Sequence, residues 1–114
     1  MRASEIVQAL GLKVVAGSNL LDRELMGGYC ADLLSCVMSH AKTGNVWLTL
    51  QAHPNVIAVA ALLELGAVIV TEGAPIPNDV IAKANDEKII LLSTAHTTFW
   101  TVSELARLGI KAQG

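Results

Sequence analysis

The sequence predicts an α/β fold: a mostly parallel sheet with helices on both faces. Three observations predict it. Trp47-Leu48-Thr49-Leu50, Ala67-Val68-Ile69-Val70 and Ile89-Ile90-Leu91-Leu92 are short, nearly continuous apolar runs. Such runs suit parallel strands covered on both sides, where alternation is not needed. Each run leads into a polar turn and then a helical run, so the second half repeats weakly at about 22 residues. Start and stop signals bracket those helical runs.

The elements follow in order. Ser4 is placed to cap a short helix that reaches Leu10 and ends at Gly11. Lys13-Val14-Val15-Ala16 reads as a strand, and residues 25–31 read as another, bent or bulged at Gly27-Gly28. Asp32 is expected to cap a helix running to Lys42. Pro54 and Pro77 suit the first turn of helices over 54–65 and 77–87, where no backbone donor is required. Thr97 or Thr98 caps a last helix that runs to Leu108. Gly66 and Gly109 fall just past helix ends, where a left-handed residue is wanted. Right-handed crossovers between such units build one sheet with helices on both faces. No linker-like stretch divides residues 1–114, so one domain is expected.

Of the 114 residues, 53% are apolar and 16% charged, which excludes a disordered chain. Eight basic and ten acidic residues give a net charge of −2, which disfavours nucleic acid as a partner. The start Met1-Arg2-Ala3-Ser4-Glu5 has no apolar run behind it, so no signal peptide is expected. The longest apolar stretch, 56–70, is broken by Glu64 and Gly66 and falls short of the roughly 20 residues of a membrane helix. A cytoplasmic location and no membrane partner are expected. Cys30 and Cys36 lack the partners of a zinc site and read as reduced core thiols, with no cofactor implied.

The helix over 54–65 is polar only at Asn55 and Glu64. A helix apolar all round is buried all round. One face packs on the sheet, and the other needs a neighbouring helix or a second subunit. A homodimer contact through this helix or one beside it is the favoured expectation, and burial within one chain is the alternative.

In open α/β sheets ligands bind beyond the carboxyl ends of the strands. Three turns lie there. The first carries Gln51, His53 and Asn55, the second Thr71, Glu72, Gly73 and Asn78, and the third Ser93, Thr94, His96, Thr97 and Thr98. Helix N-termini in such turns supply free backbone donors to anions. The candidate ligand set is His53, Asn55, Thr71, Gly73, Thr94, His96 and Thr97. The competing reading makes these residues turn formers and helix caps, with His53 and His96 capping their helices. His40, near a helix end, reads as a dipole partner. Trp47 and Trp100 read as packing residues, Trp100 at the same subunit contact. Asp22, Glu24 and Asp32 fit no compact cation loop. The P-loop, the dinucleotide fingerprint and the nucleophile elbow are all missing.

Gly28-Tyr29-Cys30-Ala31-Asp32-Leu33-Leu34-Ser35, the strand 46–50 with His53-Pro54-Asn55-Val56, Val70-Thr71-Glu72-Gly73-Ala74-Pro75, and Leu92-Ser93-Thr94 with Thr97-Thr98-Phe99 together resemble the DRTGG domain. Thr71-Glu72-Gly73 stands where the family name suggests Thr-Gly-Gly. The resemblance implies a fold like the N-terminal domain of HPr kinase/phosphorylase. Related domains occur in some phosphotransacetylases and beside CBS domains in inorganic pyrophosphatases, where they are non-catalytic and regulate or associate. Free-standing bacterial copies occur in anaerobes, in some cases beside iron-hydrogenase and kinase genes. The kinase activity itself does not carry over, because the chain has no P-loop domain.

The leading expectation is therefore a dimeric, non-catalytic sensor that holds a small anionic metabolite or nucleotide at the strand ends. A pure dimerisation or protein-interaction adaptor is the second reading. A small acid–base enzyme using His53 or His96 with Glu72 is the third.

Overall fold

A computed structural model describes residues 1–113. The elements are α1 (Ala3–Leu10), β1 (Lys13–Ala16), β2 (Gly28–Cys30), α2 (Leu34–His40), β3 (Val46–Thr49), α3 (Pro54–Leu62), β4 (Ala67–Val70), α4 (Asn78–Asp86), β5 (Leu91–Ser93) and α5 (Thr98–Arg107). They build a five-stranded sheet in the order β1-β5-β4-β3-β2. The β2, β3, β4 and β5 strands pair in parallel, and β1 runs antiparallel beside β5.

The period-2 alternation of strands sorts the apolar runs onto two faces. Trp47, Val68, Val70 and Leu91 pack with Val37 of α2, Val56, Ile57 and Ala60 of α3, and Val80 and Ala84 of α4. Val46, Leu48, Ala67, Ile69 and Leu92 pack with Ala3, Ile6 and Leu10 of α1 and with Leu105 of α5. Both faces of the sheet are covered, which is why the strands carry unbroken apolar runs. Connections of one handedness between sequential strands put α2, α3 and α4 on one face. After β5 the chain crosses to the other face, where α1 already lies.

Four helices end alike. Leu12, Leu65, Ile89 and Ile110 donate backbone hydrogen bonds to residues five back, namely Val7, Ala60, Ala84 and Leu105. The residue before each is left-handed: Gly11 at φ 62°, Glu64 at 55°, Lys88 at 59° and Gly109 at 102°. The apolar residue that follows tucks into the core in every case, the pattern of a Schellman stop. The expectation that Gly66 supplies the left-handed position is therefore corrected: Glu64 supplies it. Gly66 is needed for space, since a Cβ there would lie 2.7 Å from the Gly44 carbonyl oxygen.

Other expectations shift as well. Arg2, not Ser4, is the N-cap of α1, and its N–H donates to the Glu5 carboxylate at 2.9 Å. The Ser4 amide instead bonds the Leu21 carbonyl. Residues 25–31 shorten to the three of β2, because Gly27 turns at φ 84°. Asp32 does not cap α2, whose N-cap is Leu33. Pro77 is itself the N-cap of α4, while Pro54 does open α3. Cys30 is exposed and Cys36 half-buried, so the two free thiols are not core residues. Cys30 ends an edge strand, where only one side is covered.

The apolar helix α3 spends most of its surface inside its own chain. Val56, Ile57, Val59 and Ala60 are buried, and α2 and α4 flank it. Leu62 remains 68% exposed on its outer side. Among the described residues no helix is long and apolar enough to cross a membrane.

Candidate ligand-binding site

The turns after β3, β4 and β5 lie at one edge of the sheet, because the three strands are parallel neighbours. After β4 the chain turns onto the face of α4, and after β5 onto the opposite face, that of α5. Adjacent parallel strands whose connections leave to opposite faces open a crevice between their carboxyl ends, the usual ligand position of such sheets. Of the expected residues, Thr71, Gly73, Thr94, His96 and Thr97 belong to the two turns at this crevice. His53 and Asn55 belong to the next turn along.

Hydrogen bonds knit the two crevice turns together. The Glu72 amide donates to the His96 carbonyl at 2.8 Å, and the Gly73 amide to the Thr94 carbonyl at 3.0 Å. The Thr71 and Thr98 hydroxyls share a bond of 2.6 Å. The Thr94 hydroxyl accepts from the His96 amide at 3.2 Å. Thr71 and Thr94 are buried, so this pairing satisfies polar groups that water does not reach. Glu72 and Gly73 both take left-handed backbone, at φ 62° and 66°. That geometry turns the Glu72 carboxylate onto the start of α5, where it accepts the Thr98 amide at 2.7 Å.

Thr97 caps α5 as expected, its hydroxyl accepting from the Trp100 amide at 3.1 Å. His96 does not cap. Its exposed ring stacks on Trp100, with centroids 3.7 Å apart and planes 18° from parallel. At the neighbouring turn, His53 caps α3 through Nδ1, which accepts from the Asn55 amide at 3.0 Å. Among the described residues no hydrogen bond joins His53 or Asn55 to the crevice, nor Glu72 to either imidazole. The acid–base pair of the third reading is therefore not assembled by hydrogen bonding. Residues 71–79 and 93–98 contain no lysine or arginine. Within these two turns, donors to an anion are backbone amides, hydroxyls and the His96 ring.

Sequence reasoning named Glu72, Thr98 and Asp32 but missed the pairings by which they organise this end of the sheet. Glu72 and Thr98 are 26 positions apart, and no local pattern links them. Asp32 accepts from the Thr49 hydroxyl at 2.9 Å and from the Leu50 amide at 2.8 Å. It clamps the end of β3 to the loop after β2 rather than starting a helix.

An open α/β sheet whose strand-end turns are joined by hydrogen bonds is a fold class that hosts many functions. The family model of the DRTGG domain matches residues 5–108, and the chain belongs to that family. A similar solved structure holds the CBS and DRTGG domains of the regulatory region of Clostridium perfringens pyrophosphatase, complexed with the activator diadenosine tetraphosphate. The TM-score is 0.69 at 15% identity, covering 90% of this chain and 44% of that one. The likeness is one of fold, and this chain spans less than half of that structure. No curated protein matches the chain.

Proposed function

We propose that the chain is a non-catalytic regulatory domain that senses a small anionic ligand, a nucleotide or phosphorylated metabolite, at the crevice between β4 and β5. The supporting observation is the parallel pairing of β4 with β5, whose following turns, bearing Thr71, Gly73, Thr94, His96 and Thr97, are hydrogen-bonded to each other while their helices leave to opposite faces. The α5 start already holds an anion, the Glu72 carboxylate. An incoming phosphate competes with that carboxylate for the Thr98 amide, and the exposed His96 ring supplies a donor beside it. Release of the Glu72 carboxylate changes the surface of the turn after β4, whose backbone stays tied to the turn after β5. A regulatory region of known fold likeness that is complexed with a nucleotide activator is consistent with this class of ligand. His53 and Asn55 serve α3 in this reading.

A thermal-shift panel of nucleotides, including diadenosine tetraphosphate, and of phosphorylated metabolites tests the proposal. A ligand at about 100 times its dissociation constant stabilises the fold by roughly 2.7 kcal/mol. The shift is lost in His96→Ala and enlarged in Glu72→Gln, which competes less well for the amide. No shift across the panel in folded protein overturns it.

A second reading, a homodimer, draws support from exposed apolar side chains on the neighbouring helices α2 and α3: Met38 at 50% and Leu62 at 68%. Light scattering at micromolar concentration decides it. A monomer removes this reading, and a dimer dispersed by Leu62→Glu supports it.

A further inference from the structure

On the face covered by α1 and α5, three parallel strands fill the sheet with apolar side chains: Val46 and Leu48 of β3, Ala67 and Ile69 of β4, and Leu92 of β5. The β2 register pairs Gly28 with Val46 and Cys30 with Leu48, so alternation turns residues 28 and 30 to that same face. Tyr29 turns to the opposite face and packs with the α2 side. Gly28 is not demanded by its backbone, which is not left-handed. A Cβ there would meet Ile110 Cγ2 and the Val46 carbonyl oxygen at 3.5 Å, an ordinary contact. What glycine leaves is space, and Ala106 on the facing helix fills little of it. A cavity of about 310 Å³ lies between β2, β3 and α5.

The chain's own C-terminal segment walls this cavity beside β2. Ile110 is buried after the stop of α5, and Lys111 and Ala112 border the cavity. Gln113 anchors the segment, its Oε1 accepting from Asn45 Nδ2 while its side chain packs over Gly27. The interior is apolar, formed chiefly by Leu48, Val102, Leu105, Ala106 and Ile110. Among the described residues Lys111 is the one charged residue on the border, and it belongs to no ion pair there. A lysine lays its apolar stem along such a wall and keeps its ammonium at the water. No carboxylate, guanidinium or aliphatic hydroxyl borders the cavity. Cys30 at the rim is uncharged near neutral pH, because desolvation and then the Asp32 carboxylate push its thiol up.

We propose that this cavity binds a small aliphatic monocarboxylate, with its chain between α5 and β2 and its head at the Lys111 ammonium. At about 310 Å³ the space is at the small end of organic-ligand pockets. An apolar lining rewards an alkyl chain in proportion to the area it removes from water. A single ammonium matches a singly charged head. A phosphate calls on several donors or a guanidinium fork, which this lining lacks. The absence of a bordering carboxylate leaves a cationic head without a partner. The proposal is independent of the β4–β5 crevice.

The test is an NMR titration of the full chain with octanoate. The Gly28, Ala106 and Lys111 amides should shift saturably, and bound octanoate should slow alkylation of Cys30 in a Cys36→Ser background. Affinity should rise about fourfold per methylene from hexanoate to octanoate. Lys111→Gln, an exposed change, should weaken octanoate by about fivefold and leave the weaker binding of octan-1-ol unchanged. Ala106→Leu places a helix-favouring side chain in the cavity from an exposed position and should abolish binding without lowering the melting temperature. His96→Ala should leave the titration unchanged. Absence of saturable shifts at millimolar octanoate overturns the proposal. So does octylamine or octan-1-ol binding as tightly as octanoate, or undiminished binding in Ala106→Leu. Concentration-dependent shifts at Val102 and Ala106 without ligand would show a second copy filling the cavity, and overturn it as well.

Discussion

The Glu72 carboxylate accepts a hydrogen bond from the Thr98 amide at 2.7 Å, across 26 residues of sequence. It does so from a left-handed backbone position, φ 62°, that glycine occupies more easily. The chain thus accepts local strain to seat its own carboxylate on the positive end of α5. Two opposing terms meet in one residue, and substitution separates them. Glu72→Ala keeps the strain and loses the bond, so it should destabilise the fold by about 1 kcal/mol. Glu72→Gly loses the bond but relieves about 1 kcal/mol of strain and should be close to neutral. Urea denaturation of both variants measures the difference, and equal losses would refute the account.

Glu64 and Lys88 hold left-handed positions at the ends of α3 and α4, and Gly109 holds the equivalent one after α5. Neither charged side chain forms an ion pair among the described residues. Glu64→Gly and Lys88→Gly should each stabilise the protein by about 0.5–1 kcal/mol, and Gly109→Ala should destabilise it by a similar amount. Thermal melts of the three variants check the signs.

Asp32 holds the Thr49 hydroxyl and the Leu50 amide with one carboxylate oxygen. Thr49 is buried, so its hydroxyl has no water to turn to. Asp32→Ala should cost about 2 kcal/mol, and Asp32→Asn, which keeps an acceptor, about half of that. Denaturant midpoints at constant slope are the measurement.

Partial desolvation of the sulfur, and then the Asp32 carboxylate beside it, push the Cys30 thiol above its ordinary range, even though the residue is exposed as a whole. In a Cys36→Ser background, alkylation of Cys30 near neutral pH should be slower than that of a free thiol. The rate should still be rising above about pH 8.5, where a free thiol is half ionised. Asp32→Asn should speed the reaction at neutral pH by removing a like charge. The associated stability is present below the unfolded thiol pKa and is lost as pH rises through the higher folded value.

Local pattern along the chain was enough to set the three β–α units of the second half. The expected strand 67–70 is β4, the expected strand 47–50 is β3 displaced by one residue, and Pro54 and Thr97 open their helices as read. These features are local, since an unbroken apolar run needs cover on both faces and a cap acts within a few residues. Tertiary structure alone decided that β1 runs antiparallel beside β5 and that α5 crosses the sheet. It also turned Asp32 from a helix cap into a clamp on β3, and it joined Glu72 to Thr98 while leaving His53 to cap α3. Each of these pairings except the cap joins groups far apart in sequence. Hydrogen-bond partners at that distance are chosen by which strand ends the folded sheet brings together, and no run of neighbouring residues records that choice.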